Sequence, residues 1–580
     1  MVKTVAVIGA GCTGLTAIKS CLDEGLLPEC FESSADIGGL WRFSDDVTEG
    51  RGSVMKTTVI NTSKEMMAFS DFPPPKEYPN FMHHTKVLEY FRVYAERFDL
   101  APHISFHTEV IKVFRAQEAD SGSTRSPVQT TKRLKDPNTI SLKTPGKIPS
   151  SSIDMTLSEL SRVDSVRGGG NNDPTRETQN CLNKSPATHE AMSTASAAGK
   201  TWVVQTRDTR TGEITTHAFD FVLICTGHHA QIHRPVLRGE ETFRGRVVHS
   251  RDVRHVGDLR GRRHVVVGVG NSGCDVAVEL SRFGKVYLST RRGMWLMSRL
   301  RGAGLPADIA FTNRLVFATA FSLPNALLNT LVSWDLNRHL DHDMYALRPD
   351  HGPISTHPTV NDELPNRIAA GHVSVKTNIE SLTETGVRFE DGTVEDNVDN
   401  IILATGYKIS FPFLDQSELR VEGNHASLFL YMFPPSEAPP TLAVIGCVQP
   451  GGALGPVSEM QCRVATRVFR LESSGQRELL LRDPVLLYRC VCGPCSPYQY
   501  RLTGPGAWSG ARDAIITQMD RVTFPLATRK CSSPAKENSE ELQKVAVLWG
   551  WFTLTLEYIS DLKFDVYILM FYPVVVEAKS

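Results

Sequence analysis

Two glycine-rich segments of this chain have the spacing that binds the diphosphate of a dinucleotide. In the first, an apolar run at Thr4–Ile8 precedes the turn and a helical pattern follows it. The first glycine of such a turn permits the tight bend, the second lets the backbone approach a diphosphate, and the third lets helix and strand pack closely. The N-terminus of the helix then presents unpaired N–H groups and a positive dipole end to the phosphates. The expected binding residues are Gly9, Gly11, Cys12, Thr13 and Gly14.

We call the segment Gly9–Gly14 the first fingerprint and the segment Gly268–Gly273 the second fingerprint. An acidic residue and a second pair of glycines follow the first fingerprint. Glu32 lies about 20 residues on, where an acid binds a ribose hydroxyl in dinucleotide-binding domains. The next segment, Asp36–Trp41, fits either a type II turn with an apolar anchor or a second approach of backbone to the same diphosphate. On the second interpretation the cofactor is also bound by Gly38, Gly39, Leu40 and Trp41.

The second fingerprint follows the apolar run Val265–Val267 and precedes an amphipathic helix. Downstream of it, hydroxyls and cations stand where a ribose-binding acid would otherwise be. They suit a 2′-phosphate and so predict NADPH, although a solvated basic turn would also fit the arginines. Two dinucleotides in one oxidoreductase are typical of a flavin, here FAD, that a nicotinamide reduces. The expected NADPH-binding residues are Gly268, Gly270, Asn271, Ser272, Gly273, Ser289, Thr290, Arg291 and Arg292.

The elements around the fingerprints predict an α/β fold in which one Rossmann-like domain is inserted into another. Two buried strands, Phe219–Cys225 and Asn400–Ala404, each end in Thr-Gly and bracket a segment of domain size. We therefore predict an NADPH domain at 228–404 inserted into an FAD domain at 1–115, 200–227 and 405–529. Residues 116–199 are rich in Ser, Thr, Asn and Gly, and they carry too little apolar surface to offset the entropy of ordering. They are predicted to be a disordered insertion.

Composition excludes several other classes of function. Of the 580 residues 41% are hydrophobic, which is enough for two or three cores. Lysine plus arginine number 63 and aspartate plus glutamate 64, so a net charge of −1 gives no general attraction for nucleic acid. Twelve cysteines without a framework spacing favour reduced, intracellular thiols, and we expect no metal site. Cys492-Gly493-Pro494-Cys495 spells a redox motif but lacks the βαβ context that such a motif needs.

The chain resembles the flavin-containing monooxygenases of vertebrate microsomes. The most specific segment is Phe243–Asp252, which is similar to the family's identifying pattern Phe-x-Gly-x-x-x-His-x-x-x-Tyr, with Val253 in place of the final Tyr. The stretch His357–Pro365 is similar to the family member that performs Baeyer–Villiger oxidation. Two features depart from the family, namely the insertion at 116–199 and a shortened region between Phe469 and Leu486. Further similar segments are Asn61–Met67, Ser289–Arg292, Leu403–Tyr407 and Gly493–Arg501.

The resemblance implies a reaction cycle. NADPH reduces FAD, and the reduced flavin and oxygen give a C4a-(hydro)peroxyflavin. This species oxygenates small lipophilic molecules, xenobiotics and metabolites, at nitrogen or sulfur, or inserts oxygen beside a ketone carbonyl. The protein positions the flavin and excludes water. Asn61 is the predicted catalytic side chain, because an amide can both donate and accept hydrogen bonds near the flavin oxygen adduct. With Thr62 it is also expected to contact the cofactor, and a turn-capping role for Asn61 is the alternative.

Two other functions stay open at this point. A flavin disulfide reductase would need a Cys-x-x-Cys pair beside the flavin, and the early cysteines Cys12, Cys21 and Cys30 do not supply one. An uncoupled NADPH oxidase, or a catalytically impaired FAD-binding protein, would result if the shortened region near 470–486 no longer closed the substrate side.

The final segment, 530–580, predicts attachment to membrane lipid. Val545–Leu556 is nearly uncharged and Val566–Val576 is apolar, but four charged residues lie between them. A spanning helix needs about 20 mostly apolar residues, so we expect the tail to lie in the interface, with a true span as the lesser possibility. The resemblance implies the endoplasmic reticulum membrane, with the catalytic part on the cytosolic face.

Overall fold

The computed structural model describes residues 2–116, 201–259, 261–435, 440–470, 496–502 and 506–526. Most of the predicted insertion, the shortened region, the Cys-x-x-Cys motif and the C-terminal tail lie outside these residues.

The first fingerprint lies in a five-stranded parallel sheet. The strand Thr4–Ile8 is at its centre, between Leu27–Phe31 and Phe221–Ile224. Most of their apolar residues are buried, because helices cover one face of the sheet and residues such as Val113 and Trp202 cover the other. Across the sheet the strands are Leu442–Val444, Phe221–Ile224, Thr4–Ile8, Leu27–Phe31 and Ile104–Ser105.

A second five-stranded parallel sheet carries the second fingerprint. All of its strands come from residues between 246 and 403, while the first sheet takes its strands from both sides of that segment. The predicted fold, one Rossmann-like domain inserted into another, is thereby confirmed. Across this sheet the strands are Val373–Lys376, Lys285–Ser289, Arg263–Val267, Asn400–Leu403 and Arg246–His249.

Antiparallel strands extend both halves of the fold. Thr108–Arg115, Trp202–Asp208 and Ile214–Phe219 form one three-stranded sheet, and Ile379–Leu382, Val387–Phe389 and Val394–Glu395 form another. Short antiparallel pairs join Leu300–Arg301 to Leu305–Pro306, Gln231–Ile232 to Tyr407–Lys408, and Val421–Glu422 to His425–Ala426, and a parallel pair joins Leu296–Met297 to Thr359–Val360.

Helices cover these sheets. The two that follow the fingerprints are Cys12–Asp23 and Asn271–Leu280, and each buries its apolar face against the strands beside it. The longest, Leu454–Arg470, packs on Cys12–Asp23 and completes the core of the first sheet. The others are Lys64–Met67, His84–Arg97, Ala307–Phe311, Arg314–Ser322, Asn325–His339, Leu364–Ala369 and Ala511–Thr523.

Candidate cofactor and active site

The glycines of the first fingerprint have different structural roles. Gly9 has a φ of +97°, which favours glycine at the end of the strand. A Cβ on Gly14 would lie 1.9 Å from the carbonyl oxygen of Gly9, so only glycine allows this helix and strand to meet. A Cβ on Gly11 would meet nothing closer than Cα of Gly39, at 3.7 Å. Gly11 is therefore not needed for packing, which leaves the approach of a ligand as the reason for its small size.

The side chains at the start of the helix point into the protein. The hydroxyl of Thr13 donates to the carbonyl of Cys225 at 3.1 Å. Burial raises the pKa of the Cys12 thiol to about 12, so this cysteine is an uncharged apolar group. The first-turn N–H groups have no acceptor within their own helix. They are the groups that Cys12 and Thr13 can offer to a diphosphate.

Glu32 and the glycine pair lie against this turn. The carboxylate of Glu32 is buried and accepts hydrogen bonds from the backbone N–H groups of Ala10 and Ser34, both at 2.9 Å. Oε1 also accepts from the hydroxyl of Ser34 at 2.5 Å, whereas Oε2 keeps a second lone pair, with which Glu32 can still accept a ribose hydroxyl. The N–H of Gly38 donates to the carbonyl of Ala10 at 3.1 Å, and a Cβ on Gly39 would lie 3.1 Å from Cα of Gly11. The second glycine segment thus lies against the first fingerprint.

Leu40 and Trp41 complete this side of the site. They lie on the short 3-10 turn Gly39–Trp41. Trp41 packs against the core of the first sheet, and Leu40 accepts a backbone hydrogen bond from the N–H of Val54 at 3.2 Å. The turn is therefore anchored by an apolar side chain, while its glycine end faces Gly11.

The second fingerprint repeats the geometry of the first. Gly268 has a φ of +108°, and a Cβ on Gly273 would lie 2.0 Å from the carbonyl oxygen of Gly268. Around Gly270 a Cβ would meet no atom within 4 Å, so the space beside this residue is open to a ligand. Ser272 is exposed, and the side-chain oxygen of Asn271 accepts a hydrogen bond from the N–H of Val360 at 2.8 Å.

The four residues expected to bind a 2′-phosphate divide into two pairs. The hydroxyl of Ser289 is buried and donates to the carbonyl of Thr377 at 2.8 Å, while that of Thr290 accepts from the N–H of Gly293 at 3.0 Å. Arg291 and Arg292 are exposed. The hydroxyls shape the turn, and the two guanidinium groups remain the side chains available to a phosphate.

Asn61 is linked to the second half of the fold through Arg299. The amide oxygen of Asn61 accepts a hydrogen bond from Nη2 of Arg299 at 2.6 Å. Nη1 of Arg299 pairs with Asp362 at 2.8 Å, and its backbone N–H donates to the same carboxylate, also at 2.8 Å. Thr62 follows Asn61 and is partly buried. Sequence reasoning missed Arg299 entirely, and it noted Asp362 only as part of a family-like stretch.

The identifying segment, Phe243–Asp252, contacts one of the two strand exits that bracket the inserted domain, at Gly406. His249 is buried, and its Nδ1 accepts a hydrogen bond from the N–H of Arg251 at 3.1 Å. The ring proton must then be on Nε2, which donates to the carbonyl of Gly406 at 3.2 Å. Burial lowers the pKa of His249, which keeps the ring neutral. Val253, the departure from the family pattern, is buried in the core of the second sheet.

Within the described part of the chain, no group of three or more His, Cys, Asp or Glu side chains is arranged to hold a metal ion. Nor does any helix of that part combine the length and apolar character needed to cross a membrane.

Comparison with known proteins identifies the family. The flavin-binding monooxygenase-like family matches residues 2–140, 186–475 and 473–558, so residues 141–185 of the predicted insertion lie outside the match. Flavin-containing monooxygenase 5 of Mus musculus is 38% identical, over 96% of this chain and 99% of its own. Dimethylaniline monooxygenase (N-oxide-forming) 2 of Rattus norvegicus is also 38% identical, over 94% and 97%.

Solved structures support the fold. The S-allyl-L-cysteine S-oxygenase of Allium sativum superposes with a TM-score of 0.50 at 17% identity, covering 98% of this chain and 97% of its own. Cyclohexanone monooxygenase bound to ε-caprolactone, in its Loose conformation, gives a TM-score of 0.50 at 14% identity, covering 90% and 98%.

The two fingerprint sites and these relatives lead to one conclusion. The cofactors are FAD and NADPH, and the protein is an NADPH- and oxygen-dependent flavoprotein monooxygenase. The similarity extends over nearly the whole length of the relatives as well as of this chain. The chain therefore belongs to the flavin-binding monooxygenase-like family.

Proposed function

We propose that Asn61 donates a hydrogen bond from its amide NH2 group to the reacting oxygen at the flavin. The observation that carries this proposal is the 2.6 Å contact from Nη2 of Arg299 to the amide oxygen of Asn61. A guanidinium has only donors, so the oxygen end of the amide must face Arg299. The NH2 end is then directed away from Arg299 and is available as a donor. Asn61 would thus act as a hydrogen-bond donor rather than as a base.

Asp362 keeps this orientation fixed. Its two oxygens pair with Nη1 and the backbone N–H of Arg299, and one of them also accepts from the hydroxyl of Ser298 at 2.5 Å. The hydrogen bonds from Ser298 and Arg299 hold the pKa of Asp362 below its usual range despite partial burial. The carboxylate therefore stays charged, and the guanidinium is held at both of its ends.

We assign FAD to the first fingerprint and NADPH to the second. Glu32 and the backbone around Gly11 and Gly39 support the first assignment, because they surround an open approach to the helix N-terminus. In the second, the exposed Arg291 and Arg292 would bind the 2′-phosphate.

Replacing both Arg291 and Arg292 by Ala should raise the KM for NADPH and leave that for NADH little changed. An unchanged preference between the two nucleotides would show that these arginines form only a surface turn.

The substrates we propose are small lipophilic molecules with a soft nitrogen or sulfur atom, or with a ketone. The names of the relatives and structural neighbours cover N-oxide formation, S-oxygenation and the oxidation of cyclohexanone. This range of reactions supports the proposed class of substrate, and it does not decide among nitrogen, sulfur and ketone substrates. A Baeyer–Villiger preference, suggested by His357–Pro365, stays a prediction.

The test is to supply FAD-loaded protein with NADPH, oxygen and one of three probes: N,N-dimethylaniline, methyl phenyl sulfide or phenylacetone. Product, NADPH consumption and peroxide are measured together. The wild type should give at least one oxygenated product, and Asn61→Ala should consume NADPH but release peroxide instead. Asn378→Ala is the control, because the amide of Asn378 bonds Glu390 at 2.8 Å. Peroxide without product in the wild type would identify an uncoupled oxidase, and normal coupling in Asn61→Ala would exclude Asn61 from the mechanism.

We also propose peripheral attachment to the cytosolic face of the endoplasmic reticulum. The apolar tail at 530–580 supports this from the sequence. A second support is the helix Asn325–His339, where Leu327, Leu331 and Trp334 are 45%, 46% and 60% exposed. Their i, i+4, i+7 spacing places these exposed apolar side chains on one side of the helix.

Washing of membranes tests this attachment. The full chain should resist high salt and be released by carbonate. A chain ending at Lys530 should be released more easily, and Leu331→Ser with Trp334→Ser should weaken attachment further. Release of the full chain by salt alone would rule out apolar anchoring, whereas resistance to carbonate would favour a spanning tail.

A further inference from the structure

Three arginines gather where the inserted domain meets the turn after the first fingerprint. Arg42 directly follows the 3-10 turn Gly39–Trp41, and Arg51 lies in the loop beyond it. Arg254 comes from the other half of the fold, just after the identifying segment. Arg51 is within electrostatic range of both Arg42 and Arg254. We call Arg42, Arg51 and Arg254 the arginine cluster.

The carboxylates around the arginine cluster are engaged elsewhere. Glu32 and Asp36 lie within electrostatic range of Arg51. However, Glu32 accepts from backbone N–H groups, and Asp36 pairs with Arg92 at 2.6 Å. Asp45, near Arg254, contacts His255. Among the residues that the structure describes, no member of the cluster forms an ion pair.

Each member of the cluster also has a buried N–H group without an acceptor in the described part of the chain. These are Nε of Arg42, Nη2 of Arg51 and Nε of Arg254. Burial and the neighbouring guanidinium groups lower the pKa of Arg51. Unpaired buried charges and donors are costly, and proteins retain them where a ligand of opposite charge completes the pairing.

The backbone holds the cluster in place. The carbonyl of Arg254 accepts from the N–H of Lys56 at 3.3 Å, and Nη1 of Arg254 donates to the carbonyl of Arg251 at 2.6 Å. Next to Arg51, a Cβ on Gly52 would lie 2.6 Å from the carbonyl oxygen of His229. The loop that carries Arg51 is therefore packed closely against His229, and the guanidinium of Arg254 is held by its bond to Arg251.

We propose that the arginine cluster binds a phosphate group of a dinucleotide cofactor. Guanidinium groups match the oxygens of a phosphate with paired, charge-assisted hydrogen bonds. Arg42 and Arg51 belong to the half of the fold with the first fingerprint and Arg254 to the half with the second, so the phosphate would bridge both. Either FAD or NADPH could supply it. This inference does not depend on the proposed role of Asn61, because it concerns cofactor binding, which is measured without any transfer of oxygen to a substrate.

The experiment uses the full chain loaded with FAD and the variants Arg51→Gln and Arg254→Gln. FAD retention is measured as the temperature at which flavin fluorescence appears, and NADP+ affinity is measured by calorimetry. Loss of a charge-assisted phosphate contact should weaken one of the two ligands about tenfold or more. The control is Arg420→Gln, because Arg420 is exposed and pairs with the exposed Glu422. It should leave both ligands unaffected.

The result also identifies the source of the phosphate. Earlier release of FAD with unchanged NADP+ affinity assigns the cluster to the flavin, and weaker NADP+ binding with unchanged FAD retention assigns it to the nicotinamide nucleotide. Unchanged binding of both ligands overturns the proposal. Arg51→Lys separates a loss of phosphate contacts from a folding defect. Lysine keeps the positive charge but lacks the paired N–H donors of a guanidinium. The variant should bind with intermediate affinity, and a lower melting temperature with wild-type affinities would instead assign a structural role.

Discussion

The carboxylate of Asp308 accepts a hydrogen bond from the backbone N–H of Ser63 at 2.6 Å, two residues after Asn61. Its other oxygen accepts from the N–H of Ile309 at 2.9 Å. Asp308 belongs to the same inserted half of the fold as Arg299. The inserted half therefore holds Asn61 in two ways, because Arg299 fixes its amide and Asp308 fixes the turn that follows it.

Replacing Asp308 by Ala should increase peroxide release without loss of FAD. The N–H of Ser63 would lose its acceptor, which costs about 1–3 kcal/mol when the group stays buried. The turn carrying Asn61 would then be free to move. Asp308→Asn is the matched control, because its amide oxygen can still accept from Ser63. Equal coupling of NADPH use to product in the two variants would show that the turn does not depend on this contact.

Gly14→Ala and Gly11→Ala should both reduce the yield of FAD-loaded protein, but for different reasons. In Gly14→Ala the new methyl group would collide with the carbonyl of Gly9, so we expect a lower melting temperature and little soluble protein. Gly11→Ala should fold but contain little flavin, because its methyl group would fill space that a diphosphate needs. The flavin absorbance per protein and the circular dichroism spectrum separate the two cases. Gly257→Ala, where a Cβ would meet nothing within 4 Å, serves as the control. Full flavin content in Gly11→Ala would refute the placement of the diphosphate.

Arg501 should contribute strongly to stability. Its Nη2 lies 2.8 Å from Glu459 and 3.0 Å from Asp71, and the side chains of Arg501 and Glu459 are each only 2% exposed. Arg501→Met would leave Glu459 buried without its cation, whereas Asp71 would keep its pair with Lys19 at 3.0 Å. Breaking a buried ion pair by removing one partner costs about 3–5 kcal/mol. A clear fall in melting temperature is expected, whereas Arg420→Met should change it by about a degree or less. Similar melting temperatures for the two variants would contradict this account.

Asp275 should make folding stability depend on pH. Burial raises its pKa to about 6, against the opposing influence of Arg299 and a hydrogen bond from Asn361. The folded state then holds the proton more tightly than the unfolded state. The stabilising contribution is complete below about pH 4, and it is lost as pH rises to about 6.

Asp275→Asn should remove this dependence. Between pH 4.5 and 7.5 the variant should gain on the order of 2 kcal/mol relative to the wild type, measured by melting at both pH values. Asp513→Asn should show the same pH dependence of stability as the wild type, since Asp513 is 81% exposed. A constant difference between Asp275→Asn and the wild type would show that Asp275 has an ordinary pKa.

The glycine fingerprints could be predicted from the sequence because their requirement is local. The bend at Gly9 and the contact at Gly14 depend on residues only a few positions apart. Arg299 and Asp308 could not be predicted in this way. They lie more than two hundred residues from Asn61 in the chain, in a segment with no motif, and reach it only through the packing of the two domains. A spacing rule cannot detect contacts that tertiary structure creates.

Polar residues near a fingerprint show a second limit of sequence reasoning. Ser289 was expected to bind phosphate, yet its buried hydroxyl donates to Thr377. A hydroxyl at the right position can donate its hydrogen bond to a backbone carbonyl that is distant in the sequence, and no local pattern reveals this. The domain insertion, by contrast, was predictable, because each strand exit carries its own Thr-Gly signal.

The antiparallel pairing of Thr108–Arg115 with Trp202–Asp208 brings Ala116 and Thr201 side by side, although 84 residues separate them in the sequence. Arg115 lies opposite Trp202, and the N–H of Ala116 donates to the carbonyl of Thr201 at 2.9 Å. A protease cut or an engineered break between Ala116 and Thr201 would therefore leave two polypeptides joined by a complete strand ladder. The enzyme should tolerate production as two separately expressed fragments that reassemble, with the first fingerprint on one and the second on the other.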